Sequence, residues 1–321
     1  MKKSQEYTAI LILTYNGSAD TINCIRSIEA FNSAPVKYIV VDNGSPNQNE
    51  IDKLDRFFTQ SGQSYSRWDD SDVPGTELPY FSFLASSSND GYARGNNKGL
   101  QLAYGDASIH SILILNNDIL FTEDFLPTLL EFQHQTADCG LVTPLIVSAK
   151  GTIDNCCARR IPTNWEIIRL FGFFRRDFLH ILSRDNRRQK ILMNNPELRE
   201  RVSFPVDVPS GACMLIAKDL FRLIGGFDPD TFLYYEENIL YQKLRDVPRI
   251  NYCIPSVKCT HLGAGSTQNQ NSIFLQRCNL ESADVYLSRY GHPSLCQRLA
   301  WRFVKGMWRL KFIINNTPSK G

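Results

Sequence analysis

Short apolar runs alternate with helical patterns of apolar residues through the first half of the chain. Runs of β-branched and other apolar residues predict strands at 9–13, 38–41, 80–84 and 112–115. Between them, apolar residues recur at helical spacing in 20–31, 51–58 and 98–104, with Asp20 as the predicted N-cap of the first helix. This alternation predicts an α/β fold, in which helices flank a mostly parallel, Rossmann-like central sheet.

The second half of the chain is less regular. Its pattern predicts helices at 123–132 and 236–245, a strand at 141–147 and a basic helical insertion at about 160–202. In the first half, residues 63–79 are predicted to form a polar loop. Gly225 and Gly226 form a helix stop signal. We therefore expect one main domain at 1–285 and an amphipathic, basic C-terminal helical extension at 286–321.

Polar residues follow three of the predicted strands at the point where each strand ends. The three clusters are Thr14-Tyr15-Asn16, Asp42-Asn43-Gly44 and Asn116-Asn117-Asp118. In an open α/β sheet, ligands bind beyond the carboxyl ends of the strands, so these clusters are predicted to line one cleft. The alternative is a set of ordinary turns, for which Asp, Asn and Gly are suited.

The residue types in these clusters fit a nucleotide diphosphate. Asp118, beside two amides, suits a hard metal ion that holds a diphosphate. Asp42, Thr14, Tyr15 and Asn16 could bond a base edge, since a carboxylate accepts a hydrogen bond from a ring N–H. The glycines and amides of 89–97 allow close backbone approach to a ribose or phosphate, and Arg94 could contact the diphosphate. Neither G-x-G-x-x-G nor G-x-x-x-x-G-K-[ST] occurs, which disfavours a nicotinamide enzyme and a P-loop NTPase.

Composition excludes several other classes. The 321 residues carry a net charge of +2, so no nucleic-acid partner is indicated. Nine cysteines without a Cys-x-x-Cys pair are typical of reduced, cytoplasmic chains and disfavour a zinc site. No stretch approaches the roughly 18 apolar residues of a membrane span.

The C-terminal segment is basic and amphipathic. One helical stripe carries Arg298, Arg302, Lys305 and Arg309, and beside it lie Trp301, Val304, Trp308 and Phe312. This pattern suits a helix in a membrane interface, which would place the protein peripherally on the inner, cytoplasmic face of the cell membrane. The alternative is a helix that packs on the domain and keeps a solvated basic edge.

Five motifs in order resemble glycosyltransferase family 2. They are L-I-L-T-Y-N, V-V-D-N-G-S, N-x-G-Y-A-R-G-N-N, L-N-N-D and G-G-F-D followed by F-L-Y-Y-E-E, and they cover roughly 9–266. The resemblance implies a GT-A fold and an inverting hexosyl- or rhamnosyltransferase of surface-polysaccharide assembly, such as O-antigen or capsule. The implied substrates are a nucleoside diphosphate sugar and a glycan or polyprenyl-diphosphate-linked acceptor, and the implied cofactor is Mg²⁺ or Mn²⁺.

The resemblance also implies residue roles on the donor side. Asp42 corresponds to the base-recognising Asp, while Asn89, Gly91 and Asn97 correspond to the nucleoside loop. The predicted donor-binding set is Thr14, Tyr15, Asn16, Asp42, Asn89, Gly91, Arg94, Asn97 and Asn117. Asp118 matches the last Asp of the metal motif, whose first position is Asn116 here. His261 resembles the family's late histidine near the metal, although a histidine with a purely structural role is the alternative.

Glu237 is the predicted catalytic base. An inverting transfer needs a carboxylate that takes the acceptor's hydroxyl proton, a contribution of about 10²–10⁴-fold. The family usually has Glu-Asp here, whereas this chain has Glu236-Glu237 followed by Ile239. The extra carbon lengthens the side chain by about 1.5 Å. Glu236 is the alternative base, and both acids would also be favoured by the helix dipole alone.

Two other functions compete with this interpretation. A nucleotidyltransferase on a related sheet would release pyrophosphate, but a basic, Gly-rich loop would be expected after its first strand, and 14–18 carries no base. A non-catalytic relative that only binds nucleotide sugars would account for the departures at Glu237 and Ile239.

Overall fold

The computed structural model describes residues 5–72, 77–154, 156–172, 195–263 and 272–316. The strands are β1 (Tyr7–Thr14), β2 (Val36–Asp42), β3 (Tyr65–Asp69), β4 (Phe81–Ala85), β5 (Ile109–Asn116), β6 (Ile119–Leu120), β7 (Cys139–Ser148), β8 (Ala158–Arg159), β9 (Phe204–Val206), β10 (Val208–Pro209), β11 (Cys213–Ala217) and β12 (Ile250–His261). The α-helices are α1 (Ser18–Phe31), α2 (Gln48–Gln60), α3 (Gly91–Gly105), α4 (Leu126–Gln135), α5 (Asn164–Gly172), α6 (Lys218–Leu223), α7 (Glu236–Asp246), α8 (Ser272–Val285) and α9 (Leu295–Asn316). A 3₁₀-helix spans Pro196–Glu200, and a π-helical segment spans Tyr286–Tyr290.

A ten-stranded central sheet organises the protein. Its order is β3-β4-β2-β1-β5-β11-β7-β12-β6, with β9 paired to β12. The five strands from β3 to β5 are mutually parallel, and β11 is antiparallel to its neighbours β5 and β7. Every residue of β2 is buried, as expected for a parallel strand covered on both faces. The predicted mostly parallel sheet is therefore confirmed.

Helices cover both faces of this sheet. Apolar residues of α1, α2 and α4 pack against one face, and those of α3, α6 and α7 pack against the other. A third apolar cluster joins α5, α8, the π-helical segment and α9. Where the parallel strands end, hydrogen bonds connect α3 and β5 to the turn that follows β10.

Three sequence predictions about local structure are wrong. The predicted loop at 63–79 contains β3, an edge strand that pairs in parallel with β4. The predicted loop residues 91–97 form the first turns of α3, which begins where Gly91 adopts a φ of +79°. Asp20 is not the N-cap of α1, because the helix begins after Gly17. Ser18 instead donates two hydrogen bonds to Glu50 of α2, so the cap comes from a distant side chain.

Helix α9 packs on the domain through the apolar residues predicted beside its basic stripe. Trp301, Val304, Trp308 and Phe312 are buried in the third cluster. Lys305 forms an ion pair with Asp284 of α8, 2.7 Å away. In the described ranges, no helix is long and apolar enough to span a membrane. The predicted insertion at 160–202 includes α5 and the 3₁₀-helix, while its residues 173–194 lie outside the described residues.

Candidate active site

The polar ends of β1, β2 and β5 lie side by side. Strand pairing sets Thr14 opposite Asp42 and Leu13 opposite Asn116. The three clusters therefore meet at one edge of the sheet, as predicted from their positions after parallel strands.

Asp42 is buried and accepts hydrogen bonds from Ser45. Its two oxygens accept hydrogen bonds from the backbone N and the Oγ of Ser45, at 2.9 and 2.5 Å. Burial raises the pKa of Asp42, and these bonds oppose the rise. Ser45 Oγ in turn accepts from the backbone N of Asn16, 2.7 Å away, where Asn16 has a φ of +51°. Asp42 and Asn16 are thus brought together through Ser45, a residue that the sequence did not single out, and Tyr15 beside them is partly exposed.

Asn117 connects β5 to the start of α1. Its Nδ2 donates to the carbonyl of Gly17 at 3.1 Å and lies 3.4 Å from the hydroxyls of Thr14 and Thr21. Thr14 is buried and accepts a second bond from Thr21 at 3.0 Å. These contacts fix the turn after β1 against the turn after β5.

The start of α3 is bonded to the end of β2. Asn89 is exposed, and its Oδ1 accepts from Asn43 Nδ2 and from the backbone N of Gly91, both at 3.0 Å. A Cβ on Gly91 would lie 2.3 Å from the carbonyl oxygen of Phe232. Gly91 is therefore required both for its positive φ and for this close approach.

Arg94 and Asn97 contact the segment that precedes α7. Arg94 is exposed, and its Nε donates to the carbonyl of Pro229 at 2.6 Å. Asn97 exchanges two hydrogen bonds with the backbone of Phe227, each 3.0 Å long. The structure thus places both predicted donor-binding residues against this segment, which they connect to α3.

Asp118 and His261 are adjacent at the predicted metal site. Asp118 is 2% exposed, and its Oδ1 lies 3.4 Å from Nε2 of His261. Nδ1 of His261 lies 2.8 Å from Oδ2 of Asp154. Burial opposes a charge on His261, but the bonds to the two carboxylates outweigh it and raise its pKa to about 10.

The donor atoms at Asp118 and His261 fit a divalent cation that a diphosphate helps to bind. Asp118 Oδ2 is buried and has no hydrogen-bond partner, although such atoms are normally bonded. Asp154 bonds Nδ1 of His261, the outer-shell arrangement that directs Nε2 toward a metal. The described ranges contain no cluster of three or more His, Cys, Asp or Glu side chains able to hold a metal. A cation here would therefore need further oxygens from a ligand.

Glu236 and Glu237 follow a turn with an unusual backbone. Tyr234 and Tyr235 have φ values of +76° and +68°, and Tyr235 is the N-cap of α7. For bulky residues such a conformation costs on the order of 1–3 kcal/mol each and persists where the surroundings enforce it. Such strain clusters at active sites, which makes this turn a functional candidate.

Glu237 is held by both of its oxygens. Oε1 accepts from the backbone N of Gly211 at 2.9 Å, and Oε2 lies 3.6 Å from Nη2 of Arg159. A Cβ on Gly211 would lie 2.6 Å from Oε1, so only glycine leaves room for this contact. The Tyr92 hydroxyl donates to the Gly211 carbonyl at 2.8 Å, which connects Glu237 to the start of α3.

Glu236 lies in a different environment. It is 4% exposed, and its Oε1 has no partner. Burial, and then the charge of Glu237, raise the pKa of Glu236 to about 8. A carboxyl that keeps its proton at neutral pH cannot accept another, so the electrostatics favour Glu237 over Glu236 as a base.

Several residues of this site could not be assigned from the amino-acid sequence. Asp154 lies in none of the five motifs, Ser45 ends the motif V-V-D-N-G-S but was assigned no role, and Arg159 directly precedes the predicted basic insertion. Gly211 was recognisable as part of the small-residue turn Pro209-Ser210-Gly211-Ala212. The backbone N of Asn116 donates to the Ala212 carbonyl at 3.0 Å, so this turn connects the metal side to the base side.

Comparisons with known proteins agree with the resemblance. The sequence pattern that defines glycosyl transferase family 2 matches residues 9–221, more than half of the chain. The chain is 24% identical over 249 residues to the low-salt glycan biosynthesis hexosyltransferase Agl10 of Haloferax volcanii, covering 76% of this chain and 64% of that protein. It is 24% identical over 271 residues to the N-acetylglucosaminyl-diphospho-decaprenol L-rhamnosyltransferase of Mycobacterium tuberculosis, covering 80% of this chain and 76% of that one.

The fold is similar to that of a solved glycosyltransferase. A crystal structure of GalNAc-T7 with UDP, GalNAc and Mn²⁺ superposes with a TM-score of 0.60 at 12% identity. The match covers 99% of this chain and 59% of the other. The likeness confirms the predicted fold class.

Proposed function

The chain belongs to glycosyltransferase family 2, and on that premise we propose that it transfers a sugar from a nucleoside diphosphate sugar to an acceptor hydroxyl with inversion. The observation that carries the proposal is the position of Glu237. It is a carboxylate held by Gly211 and Arg159, and it is connected through Tyr92 and the 209–212 turn to the strand ends where the donor would bind.

Glu237 would act as the general base. In a single displacement, it takes the proton of the acceptor hydroxyl while the oxygen attacks the anomeric carbon. The new C–O bond forms as the bond from the anomeric carbon to the diphosphate oxygen breaks, and that bond's electron pair leaves with the nucleoside diphosphate. The two contacts to Glu237 support this role, because an oriented base is worth about 10²–10⁴-fold.

Asp118 and His261 would hold Mg²⁺ or Mn²⁺. The unpartnered Oδ2 of Asp118 and the Asp154–His261 bond support this assignment. When bound, the cation would neutralise charge on the leaving diphosphate. Asp42, Asn89 and the turn after β1 would contact the nucleoside, where Asp42 retains acceptor capacity beside Ser45.

The acceptor would be a glycan or a polyprenyl-diphosphate-linked sugar, at the inner face of the cell membrane. The related mycobacterial enzyme, named for a diphospho-decaprenol substrate, supports a lipid-linked acceptor. Four apolar side chains on the outer face of α9 also support it, each 56–71% exposed: Leu295, Leu299, Phe303 and Leu310. The exposed Arg298, Arg302 and Arg309 lie on the same helix, which has no acid, and complement anionic lipid.

The transfer is tested with the purified chain, Mn²⁺ and four donors: UDP-glucose, UDP-N-acetylglucosamine, GDP-mannose and dTDP-rhamnose. The acceptor is an N-acetylglucosaminyl-diphospho-lipid. We expect release of a nucleoside diphosphate and a product of inverted anomeric configuration, read by NMR. Release of pyrophosphate would identify a nucleotidyltransferase instead, and binding without turnover would identify a non-catalytic relative.

Membrane docking is tested separately by sedimentation with vesicles of phosphatidylglycerol or of phosphatidylcholine. We expect binding to the anionic vesicles alone and its loss in Phe303→Asn. Leu223→Asn is the matched control, since Leu223 is 72% exposed but lies on α6. Equal binding of both variants would contradict docking through α9.

A further inference from the structure

Ionisable side chains with an unpartnered buried atom are concentrated around the candidate site. Within the described ranges, four ionisable Asp, Glu or Arg side chains have a buried nitrogen or oxygen atom without a hydrogen-bond partner: Asp118, Arg159, Glu236 and Arg249. The first three belong to the site or contact it. Buried polar atoms are normally bonded, so each exception calls for an explanation. Asp118 is the predicted cation ligand and Glu236 the alternative base, whereas Arg159 contacts the proposed base but was not among the predicted site residues.

Arg159 and Gly211 approach Glu237 from one ribbon. Arg159 pairs with Val208 across β8 and β10, and β10 leads directly into the 209–212 turn. The ribbon therefore supplies both contacts to the carboxylate, the backbone N of Gly211 at Oε1 and Nη2 of Arg159 at Oε2. Two contacts, one to each oxygen, restrain the plane of the carboxylate more than a single contact would.

We propose that Arg159 is a positioning residue that orients Glu237 for proton transfer. The inference rests on the proposed function, because it gives Arg159 a part in that same reaction. Its guanidinium is a fixed charge with several donors, which suits it to hold one oxygen of a carboxylate. It acts through Glu237, and its removal should slow transfer without changing donor binding.

Variants of Arg159 and Glu237 test whether Arg159 acts through Glu237. The set is Arg159→Gln, Arg159→Lys, Glu237→Gln, the double variant Arg159→Gln/Glu237→Gln and the control Arg160→Gln. Arg160 is the matched control, since it pairs with Glu166 at 2.7 Å and does not contact Glu237. Transfer is measured with the donor and acceptor lipid named above, as kcat and KM.

We expect Arg159→Gln to lower kcat by about 10–100-fold, the size of effect that a displacement of about 1 Å produces, and to change the donor KM by less than about threefold. Arg159→Lys should recover part of the loss. The double variant should be no slower than Glu237→Gln alone, because residues that act as a unit are not additive. Arg160→Gln should match the wild type.

An unchanged kcat in Arg159→Gln, or additive losses in the double variant, would overturn the proposal. Thermal unfolding of the same variants separates this outcome from failure of the proposed function. If the wild type transfers no sugar, the proposed function fails, while non-additive changes in Tm would still support the Arg159–Glu237 link. Additive changes in Tm would refute that link regardless of activity.

Discussion

The donor side and the base side of the cleft differ in how far their polar groups are bonded. On the donor side, Asp42, Asn97 and Asn117 bond to neighbouring protein groups, and Oδ2 of Asp118, at the predicted cation site, is an exception. Around Glu237, by contrast, Arg159 and Glu236 each have a buried polar atom without a partner, and the preceding turn has two tyrosines at positive φ.

The difference indicates that the donor side is a stable binding surface, whereas the base side contains groups that destabilise the protein and are suited to catalysis. A bonded polar network gives a rigid surface to which a nucleotide can bind with little rearrangement. Unpartnered buried polar atoms and backbone strain destabilise a protein, and strain of this kind clusters at active sites. Substitutions on the base side should therefore change rate more than stability, and substitutions within the donor-side network should do the reverse.

The largest effect is expected for Glu237→Gln. The amide cannot accept the acceptor's proton, so kcat should fall by about 10²–10⁴-fold while Tm stays near that of the wild type. Glu236→Gln is the matched control and should lose less than about tenfold. Steady-state transfer assays measure both variants. A greater loss of kcat in Glu236→Gln would mean that Glu236, and not Glu237, is the base.

Asp118→Asn should have the next largest effect. Loss of the carboxylate removes a predicted cation ligand, and transfer should fall roughly 10²–10³-fold, as a chelator should also cause in the wild type. Thermal shift with Mn²⁺ and UDP measures the binding directly, and the stabilisation should disappear in the variant. Asp20→Asn removes a nearby carboxylate that is not a predicted ligand and should keep the shift. Stabilisation retained in Asp118→Asn would show that the cation binds elsewhere.

Gly211→Ala tests whether the transfer rate depends on the position of the Glu237 carboxylate. The added methyl would lie 2.6 Å from Glu237 Oε1 and must displace it, so kcat should fall by about 10–100-fold. The Cβ of Gly172→Ala, in α5, would have no neighbour closer than Val304 at 3.8 Å, and this control should keep wild-type activity. Full activity of Gly211→Ala would mean that Glu237 tolerates displacement.

The contrast also explains which parts could be predicted from sequence. Residues of the donor side, such as Asp42 and Asp118, directly follow apolar strands in the chain. Parallel pairing then places them together without any long-range information. The local patterns of apolar residues likewise predicted the mostly parallel sheet and most of the helices that flank it.

The base side could not be assembled in this way. Arg159 reaches Glu237 through β8 and β10, strands of two residues each, which are too short to leave a periodic pattern. Asp154 meets His261 across 107 positions. The cap of α1 was missed for a similar reason, since it comes from Glu50, a side chain 32 positions away from Ser18. These features depend on contacts between residues that are far apart in the sequence, and local sequence propensity does not predict such contacts.

Asn97→Ala tests the donor side. The variant leaves the backbone N and carbonyl of Phe227 without their partner, which should cost about 1–3 kcal/mol of unfolding free energy. Urea denaturation measures this loss, and the donor KM should stay within about threefold. An unchanged stability with a tenfold higher donor KM would instead assign Asn97 to the nucleotide, as the family resemblance implies.

The effect expected to touch the transfer rate least concerns the pH dependence of stability, and it comes from Glu236. Its pKa in the folded protein is raised from 4.5 to about 8, by burial first and by Glu237 second. Between these values the folded state holds a proton that the unfolded state has lost. This group therefore makes stability fall as pH rises through that window, by at most about 1.4 kcal/mol per pH unit, and the fall ends above about 8.

In Glu236→Gln this contribution is absent, so the difference in unfolding free energy between variant and wild type should grow in favour of the variant across the window. Glu281→Gln, an exposed change of the same charge on α8, controls for surface charge. A constant difference between Glu236→Gln and wild type would mean that Glu236 is ionised in the folded protein, and the two acids of the turn would then be equal candidates for the base.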